Sequence, residues 1–342
     1  MRKQEPRGRD PTPTGQLEVW DLFAGAGGFS TGAELAGGTV AYACDAWPEA
    51  LETYRRNHPN TRTQCLELPA AIPFPTDGRA FHLHGSPPCQ RFSDNGRRYN
   101  TEASLTQATD LIEWFVETAL TCGATSWSME QVSRAQTIAV VEAMRKRHPA
   151  RVAYATVDFC KLGVPQWRKR LIAGSPALVA RLVRATTVGE RRRSVQDVIA
   201  KPSGTMVRTN LNARCKRLRH DRKPGQSKYV YPKATMDDFL HPLTGPAPTV
   251  TTNGDIRWVW RAADGKTKWS RLSIREIAQL QTFPEDYKWP AGIRLSRQLI
   301  GNAMPPLVAQ LLLDGGDGEG EATPRPPTSG GGAFDDSDLA ND

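Results

Sequence analysis

Short apolar runs separated by glycine, proline and polar turns fill the first half of the chain. Leu17 to Phe23 has the continuous apolar character of a short buried strand. Gly25-Ala-Gly-Gly-Phe-Ser-Thr-Gly32 follows it as a tight turn opening a helix. A strand is expected over Val40 to Cys44, then a helix from Pro48 to Asn57 whose proline suits a first turn. Phe81 to His84 and Ala124 to Met129 read as strands flanking an amphipathic helix over Thr106 to Cys122. Ala135 to Arg147 is expected to be helical, and Val152 to Phe159 and Leu171 to Ala173 extended. Strands alternating with helices predict an α/β fold, a mostly parallel sheet covered by helices on both faces.

After Ser175 the periodicity is lost, and the sequence stays Arg-rich and irregular, with scattered prolines and glycines, to about Lys268. Helices return at Ser273 to Thr282 and Pro305 to Leu313, which are expected to pack back onto the first domain. The expected organisation is a flexible N-terminus over 1–15 and a main domain made of 16–174 and 271–313. A small irregular or β domain occupies 175–270. The tail, 314–342, is rich in Gly, Asp, Pro and Ser and has too little apolar content to fold.

Charge sharpens this division. The formal net charge is +9, but residues 181–233 alone hold fifteen Lys or Arg against three acids, whereas 314–342 hold eight acids and one arginine. A basic block inside a folded protein points to a polyanionic partner, because neutralising phosphates releases counterions. No apolar run approaches the roughly 20 residues needed to span a bilayer, so no membrane partner is expected and a cytoplasmic setting is, in a prokaryotic cell or phage-infected host. The six cysteines are scattered, with no Cys-x-x-Cys pair and no histidine at zinc spacing, so neither a disulfide framework nor a metal is expected. No coiled-coil pattern is present, and a monomer is the default.

Two segments carry candidate chemistry. Gly25-x-Gly27 with Gly28, between a strand and a helix, lets a backbone approach a ligand closely and aims helix-start amides at it. Asp45, twenty residues beyond Gly25 at the end of the next strand, stands where a carboxylate commonly holds ribose hydroxyls. A nicotinamide enzyme shares this layout, but the third glycine of its fingerprint would fall on Ser30. In Gly85-Ser-Pro-Pro-Cys-Gln-Arg-Phe-Ser93, two prolines stiffen the backbone before Cys89, and Arg91, Arg97 and Arg98 are placed to favour a thiolate or guide a phosphate.

Asp21-Leu-Phe-Ala-Gly-Ala-Gly-Gly-Phe-Ser30 followed by Pro87-Pro-Cys-Gln90 resembles the first and fourth motifs of the DNA (cytosine-5) methyltransferase family. Further segments arrive in the family's order. Glu130-Gln-Val132 is similar to its Glu-Asn-Val, Gln166-Trp-Arg-Lys-Arg170 to its Gln-x-Arg-x-Arg, and Arg271 to Pro284 to its Arg-Glu-x-x-x-Leu-Gln-x-Phe-Pro. Gly301-Asn-Ala-Met-Pro-Pro306 resembles its closing segment, and the likeness spans residues 17–313.

The resemblance implies a Rossmann-like sheet with a smaller target-recognition domain, S-adenosylmethionine as cofactor and double-stranded DNA as partner. Cys89 would be the nucleophile, adding to carbon 6 of a flipped cytosine so that carbon 5 becomes enamine-like. Glu130 would hold the base at N3 and the exocyclic amine, Arg168 would contact O2, and Arg170 and Gln166 would order the site. Phe23, Ala24, Gly25, Gly27, Gly28 and Pro87 would line the cofactor, with Asp45 on the ribose, Trp47 beside the adenine and Asn302 a further contact. Gln90, Arg91, Ser93, Arg97 and Arg98 would meet DNA from a loop closing over the base, and Arg214, Arg217, Arg219 and Thr249 would meet it from the second domain.

The chain departs from the family pattern at four places. Asp45 stands for the usual Glu, Gln131 for Asn, only Glu67 is available as an acid near the adenine, and His82 occupies a position where relatives often carry Asp. The competing readings are an RNA-directed relative using the same cysteine and glutamate on a tRNA loop, and a cofactor-binding protein that holds DNA without turnover.

Overall fold

The computed structural model describes residues 17–88, 102–187, 192–199, 206–208, 240–252, 256–261 and 267–314. The first part of the chain contributes β1 (Glu18–Leu22), α1 (Gly28–Leu35), β2 (Thr39–Asp45), α2 (Pro48–Asn57), β3 (Arg62–Cys65) and β4 (Phe81–Gly85). Next come α3 (Glu102–Thr121), β5 (Ser126–Val132), α4 (Ala135–Arg147), β6 (Ala153–Asp158), β7 (Lys169–Gly174) and α5 (Pro176–Thr187). The remainder supplies β8 (Met206–Arg208), β9 (Leu240–Pro242), β10 (Arg257–Arg261), β11 (Thr267–Arg271), α6 (Ile274–Leu280), α7 (Ile293–Asn302) and α8 (Pro306–Leu313).

The first seven strands form one sheet in the order β3-β2-β1-β4-β5-β7-β6. β1 through β5 pair in parallel, and β7 runs antiparallel to both β5 and β6. The expected mostly parallel, Rossmann-like sheet with helices on both faces is therefore the observed one. Strand β1 shows why. All five of its residues are buried, and alternate side chains enter different cores, as a strand covered on both faces requires. Trp20 and Leu22 join a cluster with Tyr42, Phe115 and Trp127, while Val19 joins Phe29, Val308 and Leu312 on the other face.

α1 lies against α8, with the two backbones brought close by glycine. A Cβ on Gly32 would stand 2.1 Å from the Pro306 carbonyl oxygen. The last helix thus packs against the first part of the chain. α5 was not anticipated by the pattern, and its buried face, Leu178 and Leu182, enters the same core as Val308 and Leu312. α5 thus packs with α8 on the large sheet.

The second sheet is antiparallel, in the order β11-β10-β8-β9. Trp258 from β10 is buried with Leu272, Ile277, Phe283 and Ile300, so this sheet shares a core with α6 and α7. α6 begins at a reciprocal capping box. The Glu276 amide donates to Ser273 Oγ at 3.2 Å, and the Ser273 amide donates to Glu276 Oε2 at 2.7 Å.

Candidate active site

The strand order reverses at β1. From there the chain winds outward through β2 and β3 on one side and through β4 and β5 on the other, and the carboxyl ends of β1 and β4 form the crevice where such sheets bind ligands. After Leu22 the chain turns sharply. Phe23 and Gly25 take left-handed conformations (φ 58° and 55°), and Gly27, at φ 92°, caps α1. A phenylalanine held at positive φ is uncommon and carries local strain. Here the surrounding bonds fix it, since the Ala24 amide donates to the Cys44 carbonyl at 3.0 Å and the Gly27 amide to the Ala24 carbonyl at 2.9 Å.

Asp45, at the end of β2, braces this turn. Its Oδ2 accepts from the Gly25 amide and its Oδ1 from the Trp47 amide, each at 2.8 Å. Burial raises its pKa, with those backbone bonds opposing the shift. Below it, Asp21 accepts a hydrogen bond from Ser30 Oγ at 2.6 Å, and Tyr54 donates to that same Ser30 oxygen at 2.7 Å. Desolvation by full burial pushes the Asp21 pKa up to about 7.

A cavity of about 780 Å³ opens over these residues. Of the nine positions that the resemblance assigns to the cofactor, Phe23, Ala24, Gly25, Gly28, Asp45, Trp47, Pro87 and Asn302 line it. Gly27 does not. It faces away, where a Cβ would come 2.5 Å from His58 Nε2. Glu67, the acid singled out after the third strand, lines the cavity with Leu66, Leu68 and Pro69. Asp110 and Leu111 of α3 and Leu299 of α7 complete walls that no local motif announces.

Glu130, Ser86, Pro87 and Pro88 line the same cavity, so the end of β5 and the segment leading to Cys89 share one space with the glycine turn. Glu130 is 7% exposed. Its Oε1 lies 2.9 Å from Arg170 Nε, without hydrogen-bond alignment on that oxygen. In the antiparallel β5–β7 register Arg170 stands opposite Val132 and two residues from Glu130's own partner Ile172, which puts both side chains on one face.

Arg168 departs from its expected place. It is 2% exposed, and its guanidinium does not reach the cavity. Nη1 donates to the Val250 carbonyl at 3.0 Å, and Nη2 to the Gly301 and Ala303 carbonyls at 3.3 and 3.1 Å. The physical reason is that backbone carbonyls of two distant segments converge on its two terminal nitrogens there. Gln166 is likewise a junction residue. Its Nε2 donates to the Leu280 carbonyl and to Gln281 Oε1, and its Oε1 accepts from the Val250 amide at 2.9 Å. The arginine beside Glu130 is therefore Arg170. Thr249 donates through Oγ1 to the Trp167 carbonyl and so ties the chain entering the second sheet to the Gln166–Arg168 segment.

Gln131, whose departure from the family's Asn the sequence could not interpret, has a defined task. Its Nε2 donates to the Pro87 carbonyl at 3.1 Å and its Oε1 accepts from the Val132 amide at 2.8 Å, which fixes the backbone two residues before Cys89. Cys89 itself, Gln90, Arg91, Ser93, Arg97, Arg98, Arg214, Arg217 and Arg219 lie outside the described residues.

Comparison with known proteins agrees with this arrangement. The profile of the C-5 cytosine-specific DNA methylase family matches residues 17–314. The chain is 26% identical over 331 residues to the type II methyltransferase M1.HphI of Haemophilus parahaemolyticus, covering 87% of this chain and 86% of that protein. It is 27% identical over 306 residues to M.HgiDI of Herpetosiphon aurantiacus, covering 86% of this chain and 93% of that protein. Among solved structures, the S. pombe Dnmt2 methyltransferase shares the fold with a TM-score of 0.57 at 17% identity, over 87% of this chain and 97% of that one. With a seven-stranded sheet, a glycine turn and a glutamate wall in the family's order, and with the profile spanning both sheets, the chain belongs to the C-5 cytosine-specific DNA methylases, enzymes that methylate carbon 5 of cytosine in DNA.

Proposed function

We propose that this enzyme transfers a methyl group from S-adenosylmethionine to carbon 5 of a cytosine swung out of duplex DNA, through a covalent bond between Cys89 and carbon 6. The observation that carries this reading is Glu130. It is a buried carboxylate on the wall of the same cavity that Asp45 and the start of α1 border. A carboxylate on that wall can accept hydrogen bonds from the donors of an incoming base.

The residues present fit the cofactor. Asp45, already turned by two backbone amides, offers its remaining lone pairs to ribose hydroxyls. The close-packed glycine turn lets backbone amides approach the methionine end. Trp47 gives an aromatic wall on the adenine side. When bound, S-adenosylmethionine supplies an electrophilic methyl group.

On the base, the exocyclic amine donates to one oxygen of Glu130, and a proton shared between N3 and the other oxygen offsets the charge that thiolate addition places on the ring. Arg170, paired with Glu130, faces O2 in this reading, and Arg168 holds the two units together behind it. We take residues 17–187 and 271–314 as the catalytic unit, with the segment between them, which includes the basic block, reading the DNA.

The test is transfer of labelled methyl to mixed-sequence duplex DNA and, in parallel, to tRNA, by wild type and Cys89→Ser. Cysteine-dependent 5-methylcytosine in DNA is expected. Label in tRNA alone, or label in DNA that survives Cys89→Ser, would overturn the reading.

A further inference from the structure

Strand β4 carries two fully buried histidines, His82 and His84, on the face covered by Phe29. The parallel β4–β5 register sets them opposite Ser126 and Ser128. His82 Nδ1 lies 2.8 Å from Ser126 Oγ and its Nε2 2.9 Å from Ser128 Oγ. His84 Nδ1 lies 2.8 Å from Ser128 Oγ and its Nε2 3.0 Å from Ser86 Oγ. Five groups thus form one unbroken hydrogen-bond chain along the sheet, from half-buried Ser126 at the start of β5 to Ser86 on the cavity wall, three residues before Cys89.

Burial drives the pKa of His82 down to about 3 and that of His84 well below the ordinary value, so both rings are neutral. A neutral imidazole has one N–H and one bare nitrogen. The hydroxyl of Ser128, shared by two rings, has a single proton, so it donates to one ring and accepts from the other. The whole chain is therefore polarised one way or the other. In one state Ser86 donates to His84 and its oxygen is an acceptor toward the cavity. In the other it receives from His84 and its own proton points into the cavity.

We propose that Ser86 is the group that takes the proton from carbon 5 of the methylated adduct, passing its own proton through His84, Ser128 and His82 to Ser126. This rests on the covalent reading above. The C5–H bond breaks and its electron pair forms the C5–C6 double bond. The C6–S bond breaks and returns its pair to the Cys89 sulfur. As the C5 proton reaches Ser86 Oγ, the Ser86 proton moves to His84 Nε2, the His84 Nδ1 proton to Ser128, the Ser128 proton to His82 Nε2, the His82 Nδ1 proton to Ser126, and the Ser126 proton to water. Each link gains one proton and loses one, so no imidazolium is required in an interior that would not support it. The relay leaves the chain reversed. A proton entering from water at Ser126 and passing back along the same bonds, with the Ser86 proton leaving to water once the product has departed, resets it between turnovers.

The test uses full-length enzyme, S-adenosylmethionine and two DNA duplexes, one tritiated at cytosine carbon 5 and one carrying 5-fluorocytosine, from which no proton can be removed. Ser86→Ala and Ser128→Ala are each expected to slow tritium release on the order of tenfold or more, with the double variant no slower than the slower single. Methylated covalent complex should then accumulate on ordinary cytosine, while the complex on 5-fluorocytosine forms at the wild-type rate. Tritium release unchanged in Ser128→Ala, or trapping slowed in step with release, overturns the proposal. If Ser128→Ala does not fold, Ser126→Ala, at the far end of the chain, carries the same test. Absence of any trapped complex with wild type instead overturns the covalent reading on which the proposal stands.

Discussion

Arg168 and Arg170 lie two residues apart in one motif, and the structure gives them opposite duties that a charge-conserving substitution separates. Arg168→Lys replaces a fork that reaches three carbonyls on two distant segments, Val250 and Gly301–Ala303, with a single ammonium. A buried charge-assisted hydrogen bond is worth about 1.5–3 kcal/mol, and losing one or two of the three gives a destabilisation of about 3 kcal/mol. For a chain of 342 residues that corresponds to a fall in melting temperature of roughly 4 °C. Arg170→Lys keeps a cation beside Glu130, which lines the cavity. Its melting temperature should stay within about 2 °C of wild type. The loss of the planar fork that would face the base should lower kcat/KM on the order of 100-fold. Scanning calorimetry and steady-state methyl transfer on the two variants decide the matter. An Arg168→Lys enzyme that melts like wild type but has lost activity would refute the reasoning and return Arg168 to the base.

Asp21, buried with a pKa of about 7, holds its proton through a window in which the unfolded chain releases it, so its contribution is complete below about pH 4 and lost as pH rises through 7. Asp21→Asn, which keeps an acceptor for Ser30, should match wild type in melting temperature near pH 4 and exceed it above pH 7, by up to about 4 kcal/mol. A constant difference across that range would contradict the assignment. Gly28→Ala places a methyl 2.2 Å from the Met304 carbonyl oxygen, a backbone atom that cannot swing aside. It should cost about 1–3 kcal/mol and weaken cofactor binding, read by thermal melting and calorimetric titration. Asp45→Asn retains one acceptor for two backbone amides and should lower affinity for S-adenosylhomocysteine on the order of 10–100-fold, with the fold intact by circular dichroism.

Much of the catalytic unit was legible along the chain because its signals are local. The helix expected over Ala135 to Arg147 is found with those bounds, and the strands at β1, β2 and β4 differ by a residue or so from their expected limits. Continuous apolar runs between turn residues identify strands buried on both faces whatever lies beside them. The glycine turn and Asp45 could be placed at one site because a strand, a turn and a helix start fix their relation within about twenty residues. The short, polar β3 and the helices α5 and α7 were missed. β3 is partly exposed and carries no apolar alternation, and the Arg-rich composition around α5 obscures its buried face.

What tertiary structure alone decided is which side chains meet. Nothing in Gln-Trp-Arg-Lys-Arg distinguishes the arginine that pairs with Glu130 from the one at the junction. Carbonyls more than eighty residues away claim Arg168, while the antiparallel β5–β7 register hands Arg170 to Glu130. Gln131's hold on Pro87 and the chain from Ser126 to Ser86 likewise exist only because β4 and β5 pair in one register. The sequence by itself determined the order of the elements and the chemical groups they carry, since neighbouring residues set backbone preference. Their partners depend on strand pairing and helix packing between distant segments, which local preference does not encode.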